Sequence, residues 1–434
     1  MPKIYSVLLP FTLLFLLSCA KKEKKTEAQQ LNYLAENYVR LGLTIGQYDA
    51  DFVDAYYGPD SLKPAISKSN IFPKDSLLNL VTELRSSLKN SIEKLNDSSK
   101  VRARWMSQQL LAFDRRIRIY SGEFKTFDEE SKELFGISAP VYPEEHYKLL
   151  LDTLNQLLPG KGTVQDRFQN LANRFIIPEN KLDTIFKTTI AEARKSTKAY
   201  YSLPETETFT IEYVKDKPWS GYNWYKGNYT SLIQINTDTR IFIERAIDVG
   251  SHESYPGHHV YNMLLEKNLY QDKGWVEISL YPLFSPQSFI AEGSANYGID
   301  LVFPGDKKIR FAKEKLLPLA GLDTTFIGIY FKSLAIRGKL NYARNEAARG
   351  IVNQTMNDQQ ALDWLMNYCL YNQETALKSI SFIKKYRSYV INYNYGQDLV
   401  RNYIELNEKD PKKRWEVFGK LLSNPVLPEK LLIK

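Results

Sequence analysis

Ser251-His252-Glu253-Ser254-Tyr255-Pro256-Gly257-His258, with the adjoining His259, gathers three of the chain's four histidines and sets a glutamate directly after the first. Imidazoles packed this densely beside an acid have the composition of a metal site built for hydrolysis. Such sites are normally written H-E-x-x-H, with both imidazoles one helical turn apart and the glutamate beside them as general base. Here the fifth position is Pro256, so that pairing is impossible. A helix turns about 100° and rises about 1.5 Å per residue, so residues six apart do not share a face. His252 and His258 can meet one ion, at about 2.0–2.1 Å from each, only if the helix bulges or ends between them. Pro256 lacks an N–H and crowds the carbonyl of His252, while Gly257 admits unusual backbone angles. The stretch therefore predicts helix, break, helix. His259 stands seven residues from His252, roughly on its face but about 10 Å further along. Spacing alone leaves His258 and His259 open as the second donor.

A structural zinc site is closed by four protein donors, usually thiolates; a catalytic one uses three. The chain has two cysteines, Cys19 and Cys369, far apart in sequence, so no thiolate pair closes the site. The third donor is expected to be a carboxylate on a following helix, and Ile290-Ala291-Glu292-Gly293-Ser294-Ala295-Asn296-Tyr297 supplies one. Glu292 lies among small, weakly polar residues, where a buried carboxylate needs a partner. Asn296, Tyr297 and Asp300, on or near one face of that helix, are candidates to hold the far ring nitrogens of the histidines.

Outward from this centre the chain reads as mainly α. In Pro178 to Ser202, Leu182, Ile185, Phe186, Ile190 and Ala193 keep the three-and-four spacing of one buried stripe. Similar patterns cover Gln29 to Tyr48, Asp75 to Leu95, Lys100 to Tyr120, Pro143 to Leu158, Gln359 to Leu370 and Gln373 to Tyr393. Glu207 to Val214 and Asn228 to Asn236 read instead as two strands, with a turn-like aromatic segment, Lys217 to Tyr222, between them. A small antiparallel sheet ahead of the metal-binding helix is thus expected, and its edge could hold an extended peptide across the metal.

Lys3, an apolar run from Val7 to Leu17 and Leu16-Leu17-Ser18-Cys19 resemble a lipoprotein signal, and the run is too short to span a bilayer. That resemblance implies cleavage before Cys19 and lipid on its thiol, giving a signal over residues 1–18, a tether over 19–28, and one domain of one or two helical lobes over 29–434. The expected location is exported, anchored to a bacterial membrane through Cys19. Cys369 would then be the sole remaining thiol, so stability must come from the core, for which 43% apolar content is ample. The net charge of +8 becomes +7 once Lys3 is removed and is scattered among acids. A nucleic-acid surface would concentrate it in a stripe, so no nucleic-acid partner is expected.

His252-Glu253-x-x-Pro256-Gly257-His258-His259 followed by Glu292-Gly293-x-Ala295-x-Tyr297 resembles the bacterial family designated domain of unknown function 885, which is similar to helical zinc metallopeptidases. Asp54-Ala55-Tyr56-Tyr57-Gly58-Pro59 and Gly396-Gln397-x-Leu399 extend the resemblance toward both ends. It implies a zincin-like helical fold with a deep cleft and zinc held by His252, His258 and Glu292. By the same resemblance Glu253 is the general base, and His259 and Asn296 support the ligands or touch substrate. Tyr297, Arg349 and a tyrosine within Tyr386 to Tyr395 are candidates to stabilise the oxyanion. The implied reaction is cleavage of amide bonds in short peptides. Departures from the family pattern, at Asn353, Asn357 and Arg401, keep two alternatives: a metal- or peptide-binding lipoprotein with little turnover, and a hydrolase of a non-peptide amide or ester.

Overall fold

The computed structural model describes residues 26–65 and 68–432. The expected signal and most of the expected tether lie outside the described residues. The last tether positions are already ordered by a helix start: Thr26 accepts from the Gln29 amide, and the Gln29 side chain accepts from the Thr26 amide, so two otherwise orphaned donors are satisfied ahead of helix Glu27–Tyr48. Leu31, Leu34, Ala35, Tyr38, Leu41 and Ile45 form its buried stripe. Helices Lys74–Ile92, Asp97–Tyr120, Glu144–Leu157 and Asp358–Tyr368 follow the expected apolar spacing closely. The stretch from Pro178 opens with a tight 3-10 turn at Glu179–Lys181 and continues as helix Leu182–Lys198.

Two expectations are corrected. Gln373 to Tyr393 is not one helix: Arg387 adopts φ +52° and separates helix Gln373–Tyr386 from helix Ile391–Asn407 through a 3-10 turn at Arg387–Val390. Its guanidinium makes two hydrogen bonds, 2.7 and 2.9 Å, to the buried Glu130 carboxylate, an anchor that apolar spacing does not reveal. The small sheet is not simply antiparallel either. It contains β2 (Thr208–Val214), β3 (Gly221–Gly227) and β4 (Thr230–Asn236) in the order β2-β4-β3, with β2 parallel and β3 antiparallel to β4. The extra strand starts at the end of the segment read as a turn, at Gly221, and returns the chain so that β4 runs in the direction of β2. A second, two-stranded sheet pairs β1 (Val53–Tyr56) antiparallel with β5 (Leu280–Pro282), with a register shift between Val53 and Ala55.

One contiguous apolar core extends from Leu31 to Leu431; each large side chain removed from water in it contributes roughly 1.5–3 kcal/mol. Two buried ion pairs brace the N-terminal helices, one against the segment before β5 and one between the helices themselves. Arg102 binds Glu277 at 2.6 and 2.8 Å, and Arg116 binds Asp49 at 2.5 and 3.0 Å while lying over Phe284. At the centre, helix Pro286–Val302 packs along helix Ile391–Asn407. Their backbones nearly touch: a Cβ on Gly293 would fall 2.5 Å from the Gly396 carbonyl oxygen. Any side chain there would force the helices apart. Among the described residues no helix is long and apolar enough to cross a membrane.

Candidate metal centre

Helix Ile243–Glu253 ends where Pro256-Gly257 predicts, and helix His258–Leu265 begins directly after the break. The Tyr255–Pro256 peptide is cis. Gly257 has no alternative residue at this packing, because a Cβ would lie 1.8 Å from the His252 carbonyl oxygen. The break folds His258 back toward His252, bringing their Nε2 atoms to 3.1 Å. Glu292, on helix Pro286–Val302, completes the group with Oε2 at 3.2 Å from His252 Nε2 and Oε1 at 3.7 Å from His258 Nε2. The three donor atoms lie within 4.8 Å of one another.

Their surroundings settle which ring nitrogen of His252 is free. Asn296 donates through Nδ2 to the Tyr393 carbonyl at 2.9 Å, so its Oδ1 is left to accept from His252 Nδ1 at 3.0 Å. A neutral His252 thus keeps its proton on Nδ1 and turns the Nε2 lone pair into the cluster. Glu292 Oε1 accepts from the Tyr389 hydroxyl at 3.0 Å, while Oε2 is buried without a hydrogen-bond donor. Lone pairs converging on one point in a buried setting call for a cation. The donor set of two imidazoles and one carboxylate fits a zinc ion. Burial opposes ionisation of Glu292, but His258 and His252 outweigh it and hold the carboxyl well below the usual range.

Glu253 is buried beside the cluster, and burial pushes its carboxyl up to about 7; His252 counteracts, and Glu292 and Asp54 add to the rise. The edge strand β3 lies against it. Asn223 donates to the Glu253 carbonyl at 2.6 Å, and a Cβ on Gly221 would come within 3.1 Å of Glu253 Oε1. The expected cleft is tight at this point: the side chains of His252, His258 and Glu292 keep 13%, 11% and 9% of their surface exposed.

Other expected residues lie apart from the donor atoms. His259 is fully buried and bonded on both nitrogens, Nδ1 to Ser231 Oγ at 2.8 Å and Nε2 to Glu207 Oε2 at 3.2 Å. Glu207 also binds Tyr255 and Arg194, so His259 pins the loop and sheet together. Tyr297 directs its hydroxyl toward Glu405 at 3.4 Å. Arg349 is spent on Asp128, Glu346 and the Ala139 carbonyl; the helix that carries it packs on the far element Phe127–Phe135. Asn353, Asn357 and Arg401 do structural work: Asn353 accepts from the Phe127 amide, Asn357 caps helix Asp358–Tyr368, and Arg401 bridges Asp300 and Asp398.

Three contributors emerge only in the structure. Tyr389 orients Glu292 and itself accepts from Ser288. Tyr393 lies within electrostatic reach of Glu292 and Glu253, and no described residue hydrogen-bonds its hydroxyl. Asp54 sits near His258, Glu292 and Glu253, and burial pushes its carboxyl up to about 6, against the hydrogen bond from Tyr222. The tyrosines were visible as a cluster without individual roles, and the Asp54 segment was visible as a motif without a location.

No protein-family model and no curated protein matches the chain. Among solved structures, a candidate lipoprotein from Colwellia psychrerythraea is similar with a TM-score of 0.52 and 13% identity, over 82% of this chain and 68% of that one. A candidate lipoprotein of unknown function from Shewanella oneidensis gives 0.47 and 11%, over 82% and 71%. Trypanosoma cruzi metallocarboxypeptidase 1 gives 0.36 and 11%, over 93% and 92%. The Colwellia likeness speaks to fold alone.

Proposed function

We propose that this chain is a zinc-dependent hydrolase that cleaves amide bonds of short peptides, carried on a membrane by lipid on Cys19. The observation that carries the reading is the convergence of His252 Nε2, His258 Nε2 and the undonated Glu292 Oε2, with Glu253 alongside. A divalent ion held by these three groups would supply Lewis-acid polarisation of a carbonyl and an acidified water. Glu253 takes the proton of the attacking water and returns it to the leaving amine, a role that a raised carboxyl pKa suits. Asn296 and Tyr389 keep the donor atoms aimed. For the developing oxyanion we assign the Tyr393 hydroxyl, within electrostatic reach of Glu292 and Glu253, in place of Tyr297 or Arg349. The edge of β3 offers backbone groups along which an extended peptide can lie. The enclosure favours short substrates.

Support for the anchor comes from the residues around Cys19 and from the name of the Colwellia neighbour. The resemblance to the family of domain of unknown function 885 rests on the motifs quoted above. The competing reading is a lipoprotein that binds metal or peptide without turnover. Glu253 argues against it, since binding alone requires no base beside the first ligand.

The deciding experiment is elemental analysis of the soluble form starting after Cys19, beside its His252→Ala variant, with an assay of a mixed short-peptide pool with and without chelator. One zinc per chain and chelator-sensitive cleavage are expected. Zinc without cleavage would hand the site to the binding reading, and failure to take up zinc would remove the metal.

A further inference from the structure

The bulge in the small β1–β5 pair falls at Asp54. Val53 pairs with Pro282 and Ala55 with Tyr281, so Asp54 is the extra residue with no partner across the ladder. A bulge re-aims a side chain out of the alternating pattern. Here Asp54 is crowded by protein yet keeps part of its surface accessible. Tyr222, on the edge strand that lies against Glu253, donates to its Oδ1. No described residue donates to Oδ2, and no described lysine, arginine or histidine forms an ion pair with this carboxylate.

The local charges explain why that matters. Glu292 and Glu253 together balance a divalent ion, and the two imidazoles are neutral as ligands. Asp54 adds a negative charge within reach of His258, Glu292 and Glu253, and a carboxylate in such a place needs a cation. Among the described residues none forms an ion pair with it. We propose that Asp54, turned inward by the bulge and steadied by Tyr222, binds the alkylammonium group of the substrate, and that this group is the free amino terminus of a short peptide. The inference rests on the hydrolase reading for its substrate class and assigns Asp54 as a specificity residue. It also accounts for the Asp54-to-Pro59 motif, which the metal chemistry leaves unused.

The test compares binding and cleavage in the zinc-loaded protein. The probes are a phosphinic dipeptide analogue of Ala-Ala with a free amine, its N-acetyl form, and an N-acetyl form bearing a lysine side chain, each titrated calorimetrically into wild type, Asp54→Asn and Tyr222→Phe. The free-amine probe should bind wild type about 100-fold more tightly than the acetylated one. Asp54→Asn should bring the two within about threefold, with zinc content and thermal midpoint unchanged; Tyr222→Phe should narrow the gap less. Equal binding of free and acetylated probes by wild type overturns the proposal, as does a preference that survives in Asp54→Asn or an equal loss on both probes. If only the lysine-bearing probe matches the free amine in affinity, the ammonium is recognised but the terminus assignment falls. Peptide cleavage is measured alongside: a preference for the free amine without turnover upholds the subsite and sinks only the hydrolase reading.

Discussion

His258 and His259 are neighbours in sequence, both buried, and both face a glutamate, yet their surroundings are opposite in kind. Around His259 each polar atom is answered: with its proton on Nε2, the ring donates to Glu207 and accepts from Ser231, and Glu207 is in turn held by Tyr255 and Arg194. Around His258 the bonds do not close in this way: its Nε2 meets His252 Nε2 at 3.1 Å, and Glu292 Oε2, which lies 3.2 Å from His252 Nε2, receives no hydrogen bond. A completed network stabilises a fold, whereas converging donor atoms with an unanswered carboxylate oxygen suit a cation. Adjacent residues of identical type can thus be separated into scaffold and site by whether their hydrogen bonds close.

The sharpest way to break this contrast is to truncate each histidine in turn. His258→Ala should weaken zinc binding about a thousandfold, while His259→Ala should change it by no more than about threefold and instead lower the stability by about 2–4 kcal/mol; a zinc titration and a denaturant curve on each variant read both effects. Loss of zinc in His259→Ala with His258→Ala unaffected would reverse the assignment. Glu253→Gln should reduce cleavage by about a thousandfold with zinc content intact, and equal turnover would remove it as base. Asn296→Ala frees the far nitrogen of His252 and should cost about 10- to 100-fold in zinc affinity, seen in competition with a calibrated chelator.

The smallest effect belongs to the closed network and depends on pH. Burial opposes ionisation of Glu207, but His259, Tyr255 and Arg194 together hold its carboxyl down to about 2, below the usual 4.5. A depressed carboxyl stabilises the folded state above its unfolded value and ceases to do so as pH falls through its folded value. The advantage of wild type over Glu207→Gln, about 2 kcal/mol once the solvent around Arg194 is allowed for, should be complete at pH 6 and shrink between 4.5 and 2. A difference in denaturation midpoint that stays constant over that range would show that the ion network contributes nothing.

The helical character and the break at Pro256-Gly257 were legible because they depend on local rules: apolar spacing, a missing N–H and a crowded carbonyl. The candidate donors were legible as residue types in order. What escaped was decided across long separations. Gly221 and Tyr222 fall in the segment read as a turn, and Asn223 to Gly227 carries no strand alternation because its aromatic side chains are interrupted by asparagine, lysine and glycine; only pairing with β4 makes the stretch a strand. Arg349 and Tyr297 were brought forward with the family resemblance, but their partners, Asp128 and Glu405, are distant in sequence. Asp54 depends on a register shift against residues more than 200 positions later, for which no local pattern exists.

The touching backbones of Gly293 and Gly396 make the donor set answerable to a part of the chain that contributes no donor atom. A fragment ending before Arg387 would retain His252, Glu253, His258 and Glu292. It would lack the helix that seats Gly293, the Tyr389 hydroxyl that orients Glu292 and the Tyr393 carbonyl that fixes the Asn296 amide. Proteolysis near that strained arginine would therefore loosen the cluster while sparing its candidate donors, and a truncated gene product could carry the full motif without the contacts that bring it together.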